Sequence, residues 1–162
     1  MSNLNSDSKV ITDFGDEWNY YGQGRTLKEI DEGFKRYFSI LPNQYLNPNN
    51  IGFDAGCGSG RWAKIVAPKV KHLHCIEPSA KAISYAKENL SKYKNCTFEC
   101  KTINDSSLLP NSQDFGYCLG VLHHIPNTKT ALNTCVQKLK TGAPLLIYIY
   151  YKFDNKPIWF KY

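Results

Sequence analysis

A glycine-rich run in the first half of the chain is the segment best suited to holding a ligand. Residues 54–60 read DAGCGSG and lie between a short apolar run and a helical pattern. Glycines at alternate positions let the backbone turn sharply and approach a ligand with no Cβ in the way. The helix that follows adds free N–H groups beside that ligand. The sequence therefore predicts a small-molecule site at this loop.

An acidic residue follows the glycine loop at the distance that a nucleoside site requires. Glu77 ends the second predicted strand, 21 residues after Gly56. In such sites an acid about 20 residues beyond the loop hydrogen-bonds the ribose hydroxyls. The plainer alternative is a tight strand-to-helix turn beside an unrelated surface acid. The spacing favours a nucleoside site over that alternative.

The loop chemistry indicates which nucleoside cofactor fits. Dinucleotide loops read G-x-G-x-x-G and would need glycine at position 61. This chain has Arg61 there, and its third glycine is Gly60. Asp54 adds a negative charge, which repels a pyrophosphate and attracts a cation. We therefore expect S-adenosylmethionine, which carries a sulfonium and an ammonium and no phosphate, with a nicotinamide dinucleotide as the disfavoured alternative.

Four segments occur along the chain in an order that can be compared with known families. They are residues 54–62 (DAGCGSGRW), 76–79 (IEPS), 114–126 (DFGYCLGVLHHIP) and 139–144 (LKTGAP). The set resembles the glycine motif, ribose-binding acid, strand-four segment and L-K-P-G-G turn of class I S-adenosylmethionine-dependent methyltransferases. Within that family it is similar to the methyltransferase type 11-like subgroup, which includes small-molecule and quinone methylases. Motifs in register make this resemblance far more specific than a glycine loop alone, although Thr141 and Ala143 depart from the turn.

The resemblance implies a role for each matching residue. The implied cofactor contacts are Asp54, Gly56, Cys57 and Gly58 at the methionine end, Gly120 and Val121 under the methionine carbons, Glu77 at the ribose, and Pro78, Ser79, Ile103 and Asn104 around the adenine. These segments should converge, because ligands of parallel sheets bind outside the carboxyl ends of the strands.

The implied reaction is transfer of the methyl group to a small-molecule acceptor, with S-adenosylhomocysteine as the product. Alignment of the reacting atoms can supply much of the acceleration, so a base is needed only where the acceptor must lose a proton. His123 and His124 follow the fourth strand, and a histidine titrates near working pH. Adjacent residues point in different directions, so at most one faces the acceptor; alternatively, both cap the next helix or pack locally. Cys118 and these histidines lack a completing ligand, so no metal is expected.

Alternating strands and helices must position these residues. The pattern predicts strands over 51–54, 72–76, 96–100, 115–119 and 145–151, and helices over about 61–67, 79–90 and 128–139. This alternation indicates an α/β, Rossmann-like three-layer sandwich whose mostly parallel sheet has the order 3-2-1-4-5. The family sheet usually has seven strands, and the pattern here lacks the last two.

The N-terminal part is expected to cover the site. We predict a helical lid over residues 1–45 and the cofactor-binding core over residues 46–162, within one domain overall. Thr26 and Glu29 form a capping box that starts a helix. Ahead of it, Trp18 would shield the sulfonium and offer a cation–π contact. The alternative is that this aromatic stretch fixes the helix to the core.

Length, charge and hydropathy limit the partners. The chain has 162 residues, enough for one domain with its own core, and a net charge of +6 that is spread out. We therefore expect no nucleic-acid partner. The apolar runs fall far short of the roughly 20 residues of a membrane span. With no apolar leader and six cysteines outside any C-x-x-C motif, we expect a cytoplasmic protein with mostly buried thiols.

The fifth predicted strand leads to a second hypothesis. It is very apolar, and only a few residues follow it, so it would form an exposed edge of the sheet. We therefore expect a homodimer through this edge, or a truncated domain. A non-catalytic S-adenosylmethionine-binding domain that serves as a partner module is accordingly the alternative to a methyltransferase.

Overall fold

The computed structural model describes residues 26–150 together with Asp7, Lys9, Ile11 and Thr12. Strands and helices alternate along the described chain, as the sequence predicts. The elements are α1 (Leu27–Phe38), β1 (Ile51–Ala55), α2 (Ala63–Val66), β2 (His72–Ile76), α3 (Ala80–Asn89), β3 (Cys96–Glu99), β4 (Phe115–Leu119), α4 (Thr128–Lys138) and β5 (Leu145–Tyr148).

The strands form one parallel sheet in the order β3-β2-β1-β4-β5, which confirms the predicted fold class and strand order. Parallel strands need long crossovers, so the connecting segments run over both faces of the sheet. The register places Asp54 of β1 beside Cys75 of β2 on one side and beside Tyr117 of β4 on the other. This register brings the ends of three strands together at one edge.

Side-chain caps set where two of the helices begin. The Thr26 hydroxyl accepts a hydrogen bond from the Glu29 amide at 3.3 Å, and the Glu29 carboxylate accepts from the Thr26 amide at 2.7 Å. This is the predicted capping box of α1. The Ser79 hydroxyl accepts from the Ala82 amide and caps α3. Ser79 therefore stands directly between Glu77 and the start of that helix.

One face of the sheet carries the larger hydrophobic core, and α1 is part of it. Phe34 and Phe38 stack with ring centroids 4.1 Å apart, and Phe38 meets Tyr117 of the sheet edge-on at 5.2 Å. Leu41 and Trp62 are buried in the same cluster. The opposite face packs against α4. The division at residue 45/46 stays a prediction.

The cysteines are mostly buried, as the sequence predicts. Four of the six cysteines, Cys57, Cys75, Cys118 and Cys135, are buried, and all six are free. Cys100 is exposed, so the expectation of buried thiols holds for most positions and not for this one.

Within the described part of the chain, no helix has the length and apolar character needed to cross a bilayer.

Candidate functional site

A cleft opens at the carboxyl ends of the central strands, where ligands of open parallel sheets bind. It encloses about 110 Å³. Of the predicted site residues that the structure describes, seven lie on its walls and six do not. The walls are Asp7, Ile11, Ala55, Gly56, Ile76, Glu77, Pro78, Lys101, Thr102, Ile103, Cys118, Leu119, Gly120, Val121, His124 and Ile125.

The glycine loop is held tightly against the neighbouring strands. The amides of Gly56 and Cys57 both donate to the carbonyl oxygen of Ile76, at 2.8 and 3.1 Å. Gly56 has a φ of +76°, and a Cβ added there would collide with the side chain of Val121. Only glycine fits, because the backbone both turns left-handed and lies directly on Val121, just after β4. The loop therefore presents bare backbone to the cleft.

Glu77 lies in the cleft with its carboxylate fixed by two backbone donors. The Gly58 amide donates to Oε2 at 3.0 Å, and the Ser79 amide donates to Oε1 at 2.9 Å. Burial raises the pKa of Glu77, and these two N–H groups oppose that rise. Gly58 and Ser79 themselves stand off the cleft wall. Their place in the site is to orient Glu77.

Asp54 is buried behind the glycine loop, on the face that α1 covers. Only 2% of its surface is exposed, and its Oδ2 atom has no hydrogen-bond partner among the described residues. Burial raises the pKa of Asp54 to about 8; the nearby Tyr117 hydroxyl lowers it, Glu77 raises it and Arg61 lowers it. The Tyr117 oxygen is close enough to act on the carboxyl, but neither atom completes a hydrogen bond of ordinary geometry.

The segment after β3 forms the far wall of the cleft. Lys101, Thr102 and Ile103 line it, and Asn104 does not. The Thr102 hydroxyl donates to the Asp105 carboxylate at 2.6 Å, which closes a compact turn. Asn104 Oδ1 is buried with no hydrogen-bond partner in the described structure. Of the two residues predicted here, Ile103 is therefore the one that lines the cleft.

The two histidines face different surroundings, as adjacent residues should. His124 lines the cleft, whereas His123 packs against Tyr150 with ring centroids 4.5 Å apart. The Tyr150 amide donates to His123 Nδ1 at 3.4 Å. Burial lowers the pKa of His123, and the neighbouring His124 lowers it further. These surroundings disfavour the charged form of His123, and His124 is the histidine that lines the cleft.

The N-terminal segment contributes to the cleft at two described positions. Asp7 and Ile11 line it, one helical turn apart, and the Ile11 amide donates to the Asp7 carbonyl at 3.0 Å. Trp18 lies outside the described residues. The predicted lid over residues 1–45 therefore stays a prediction, supported by these two wall residues.

Sequence reasoning missed several residues in and beside the cleft. Thr102 and Ile125 adjoin predicted residues and could have been found from their neighbours in the chain. Tyr117 required the pairing of β1 with β4, because only that register sets it beside Asp54. Among the described residues, no three or more metal-ligating side chains converge on a point that could hold an ion.

Comparison with known proteins identifies the family. The methyltransferase domain family matches residues 53–147, which include the glycine loop, Glu77 and His124. The chain therefore belongs to the methyltransferase domain family, and the resemblance drawn from its motifs is confirmed.

Two relatives in sequence are named for different kinds of acceptor. The chain is 23% identical over 150 residues to a ubiquinone biosynthesis O-methyltransferase of Coxiella burnetii, covering 90% of this chain and 63% of that protein. It is 33% identical over 118 residues to an uncharacterized RNA methyltransferase of Staphylococcus epidermidis, covering 71% of this chain and 25% of that protein. The chain thus spans less than two thirds of either relative.

Solved structures share the fold. The N-methyltransferase NodS of Bradyrhizobium japonicum, in complex with S-adenosylhomocysteine, aligns with a TM-score of 0.67 at 18% identity, over 86% of this chain and 70% of that one. Phosphoethanolamine N-methyltransferase 1 of Haemonchus contortus aligns with a TM-score of 0.68 at 14% identity, over 82% and 30% of the two chains. The similarity extends beyond the sheet to most of the described chain.

Proposed function

We propose that this protein is an S-adenosylmethionine-dependent methyltransferase that acts on a small-molecule acceptor and releases S-adenosylhomocysteine. The observation that carries the proposal is Glu77, whose fixed, buried carboxylate lies in a cleft beside a glycine loop. A carboxylate held in this way is suited to accept two ribose hydroxyls. Membership of the methyltransferase domain family supports the same activity.

The residues present fit this cofactor better than a dinucleotide. An adenosine would lie against the apolar walls formed by Ile103 and Ile125, with its ribose at Glu77. The buried Oδ2 of Asp54 lacks a partner in the described structure, and such an atom favours a cationic or hydrogen-donating group. A pyrophosphate would bring anionic oxygens that oppose ionisation of that carboxyl, whereas a cation would favour it. When bound, the cofactor supplies a methyl group on a sulfonium leaving group.

The protein's own contribution is to position groups, exclude water and accept a proton. Ile11, Ile103 and Ile125 make the cleft walls apolar, which keeps water from the reacting atoms. Val121 packs directly against Gly56 and so limits how far the glycine loop can move toward the segment after β4. His124 is placed to take the proton from an acceptor hydroxyl or ammonium before or during transfer. An acceptor without such a proton needs positioning alone.

A small-molecule acceptor is supported by two features. One relative of this chain is named a ubiquinone biosynthesis O-methyltransferase. The positive charge of the chain is also spread out rather than gathered into a groove. The match to an RNA methyltransferase makes RNA the acceptor class to test against.

The test combines ligand binding with turnover. Calorimetry should detect S-adenosylhomocysteine and give no heat with NADH at the same concentration. The protein is then incubated with S-adenosylmethionine and, separately, phenols, primary amines and total RNA, and release of S-adenosylhomocysteine is measured. We expect turnover with a phenol or an amine. Binding without turnover on any acceptor would favour the partner module, and turnover on RNA alone would overturn the small-molecule assignment.

A further inference from the structure

The buried carboxyl of Asp54 stands in an environment that does not support its charge. The ionisable groups that act on it are Tyr117 of β4, Glu77 after β2 and Arg61 of the glycine-loop segment. The charge of Asp54 in turn acts on the thiols of Cys57, Cys75 and Cys118. Glu77 repels a negative charge there, and Arg61 attracts one. A buried carboxylate with one oxygen unpartnered loses hydration that neither Tyr117 nor Arg61 fully replaces.

The free protein is therefore expected to hold this carboxyl protonated at neutral pH. Burial raises the pKa of Asp54 to about 8, which agrees with that geometry. A cation bound nearby reverses the balance, because it stabilises the ionised carboxylate by direct attraction. A ligand that prefers the ionised form must displace the proton to solvent when it binds.

We propose, on the basis of the proposed function, that binding of the cationic cofactor is coupled to the loss of one proton from the carboxyl group of Asp54. The amino-acid end of the cofactor carries the ammonium that replaces this proton electrostatically. Charge is balanced in the step: the carboxyl becomes a carboxylate, the ligand cation compensates it, and the proton passes to the buffer. Affinity for the cofactor consequently increases with pH through the neutral range.

Calorimetry in buffers of different ionisation enthalpy measures the proton directly. S-adenosylhomocysteine, which keeps the ammonium, is titrated into the protein at pH 7 in phosphate and in Tris. The difference in observed heat divided by the difference in buffer ionisation enthalpy gives the number of protons released, which we expect to be close to one. Between pH 6 and 7.5 the affinity should rise by about tenfold per pH unit.

Matched variants assign the proton to its residue. Asp54→Asn keeps the shape of the neutral carboxyl, so it should fold, bind without proton release and lose the pH dependence. Tyr117→Phe removes the group that lowers the pKa of Asp54, so its pH dependence should move upward while release persists. Asp31→Asn changes an exposed carboxylate on α1 that pairs with Lys35, and it should behave as wild type.

The outcomes separate this inference from the proposed function. Absence of any binding heat would refute the proposed function and this inference with it. Binding with no buffer dependence would refute the inference and leave the proposed function intact. Proton release that survives in Asp54→Asn and disappears in Glu77→Gln would move the coupling to Glu77 and overturn the assignment to Asp54.

Discussion

Two buried acids flank the glycine loop, and the protein supports them in opposite ways. Glu77 receives two backbone N–H donors, so its carboxyl group is oriented before any ligand arrives. Asp54 has an oxygen without a partner in the described structure and a pKa raised to about 8. The first acid suits a neutral diol, which needs a fixed acceptor. The second suits a cation, which brings the missing charge.

Replacing Glu77 with glutamine tests whether its oriented carboxylate accepts the hydroxyl groups of the ligand. Glutamine offers one acceptor oxygen and turns an N–H₂ group toward either Gly58 or Ser79, so it loses charge-assisted hydrogen bonds worth roughly 1.5–3 kcal/mol. We expect S-adenosylhomocysteine to bind about ten- to a hundredfold more weakly by calorimetry. Glu88→Gln, on the exposed side of α3, is the matched control and should bind normally. Unchanged affinity in Glu77→Gln would remove Glu77 from the site.

The stability of the free protein should fall as pH rises, because of Asp54. Its folded-state pKa of about 8 lies above the ordinary value of 3.8, so the folded protein keeps a proton that the unfolded chain releases. The stability that this retained proton gives the folded state is fully present below pH 3.8 and is lost as pH approaches 8. Thermal unfolding should show the wild-type Tm dropping more than that of Asp54→Asn between pH 5 and 8. Parallel Tm curves for the two proteins would contradict this.

The two histidines should differ in their effect on turnover. His124 lines the cleft and His123 packs on Tyr150, so a general base in this pair has to be His124. With a hydroxyl acceptor, His124→Asn should lower kcat by roughly 10²–10⁴ and flatten its pH profile. His123→Asn is the matched control and should keep kcat within a few-fold. Full activity in both variants would show that transfer proceeds without a histidine base.

At the scale of the elements, the glycine loop depends on its contact with the segment that follows β4. Gly56→Ala should lower the free energy of unfolding by roughly 1–2 kcal/mol because its backbone is left-handed, and its new methyl group also collides with Val121. Gly142→Ala has the same kind of backbone, with a φ of +81°, but open space around the added methyl. It should therefore lose only the stability that the backbone conformation costs. Denaturant unfolding should therefore show Gly56→Ala as the less stable of the two. Equal losses would mean that the loop shifts away from Val121 at no cost.

The elements also show how far sequence reasoning reaches. β2 and β4 occupy the predicted ranges 72–76 and 115–119, because their apolar runs and flanking turns are local signals. The helix after the glycine loop begins at Ala63, later than predicted, because the turn continues through Trp62. The pairing of Asp54 with Tyr117 depends on the register of two distant strands. No local pattern carries that register, so the orphaned carboxyl could be seen only in the structure.

At the scale of the whole molecule, α1 and the sheet share one core. Phe38 lies edge-on to Tyr117, and Tyr117 lies beside Asp54. A change in the packing of α1 therefore reaches the buried acid through a single intervening side chain. The N-terminal residues Asp7 and Ile11 line the cleft itself. Segments that precede β1 therefore supply both part of the cleft wall and the packing behind the buried acid.

The outer edge of β5 remains the predicted dimer contact. Within the described residues, β5 pairs only with β4, and Ile147 and Ile149 are partly exposed. Pro144 and Tyr148 offer their carbonyls to β4, so by alternation the Ile147 amide points outward. Light scattering over a concentration series should show a dimer for the wild type. Ile147→Pro removes the outward donor and should give a monomer, while Ile40→Ser, at an exposed apolar position beyond α1, should stay dimeric. A wild type that is monomeric at every concentration would contradict a homodimer through this edge.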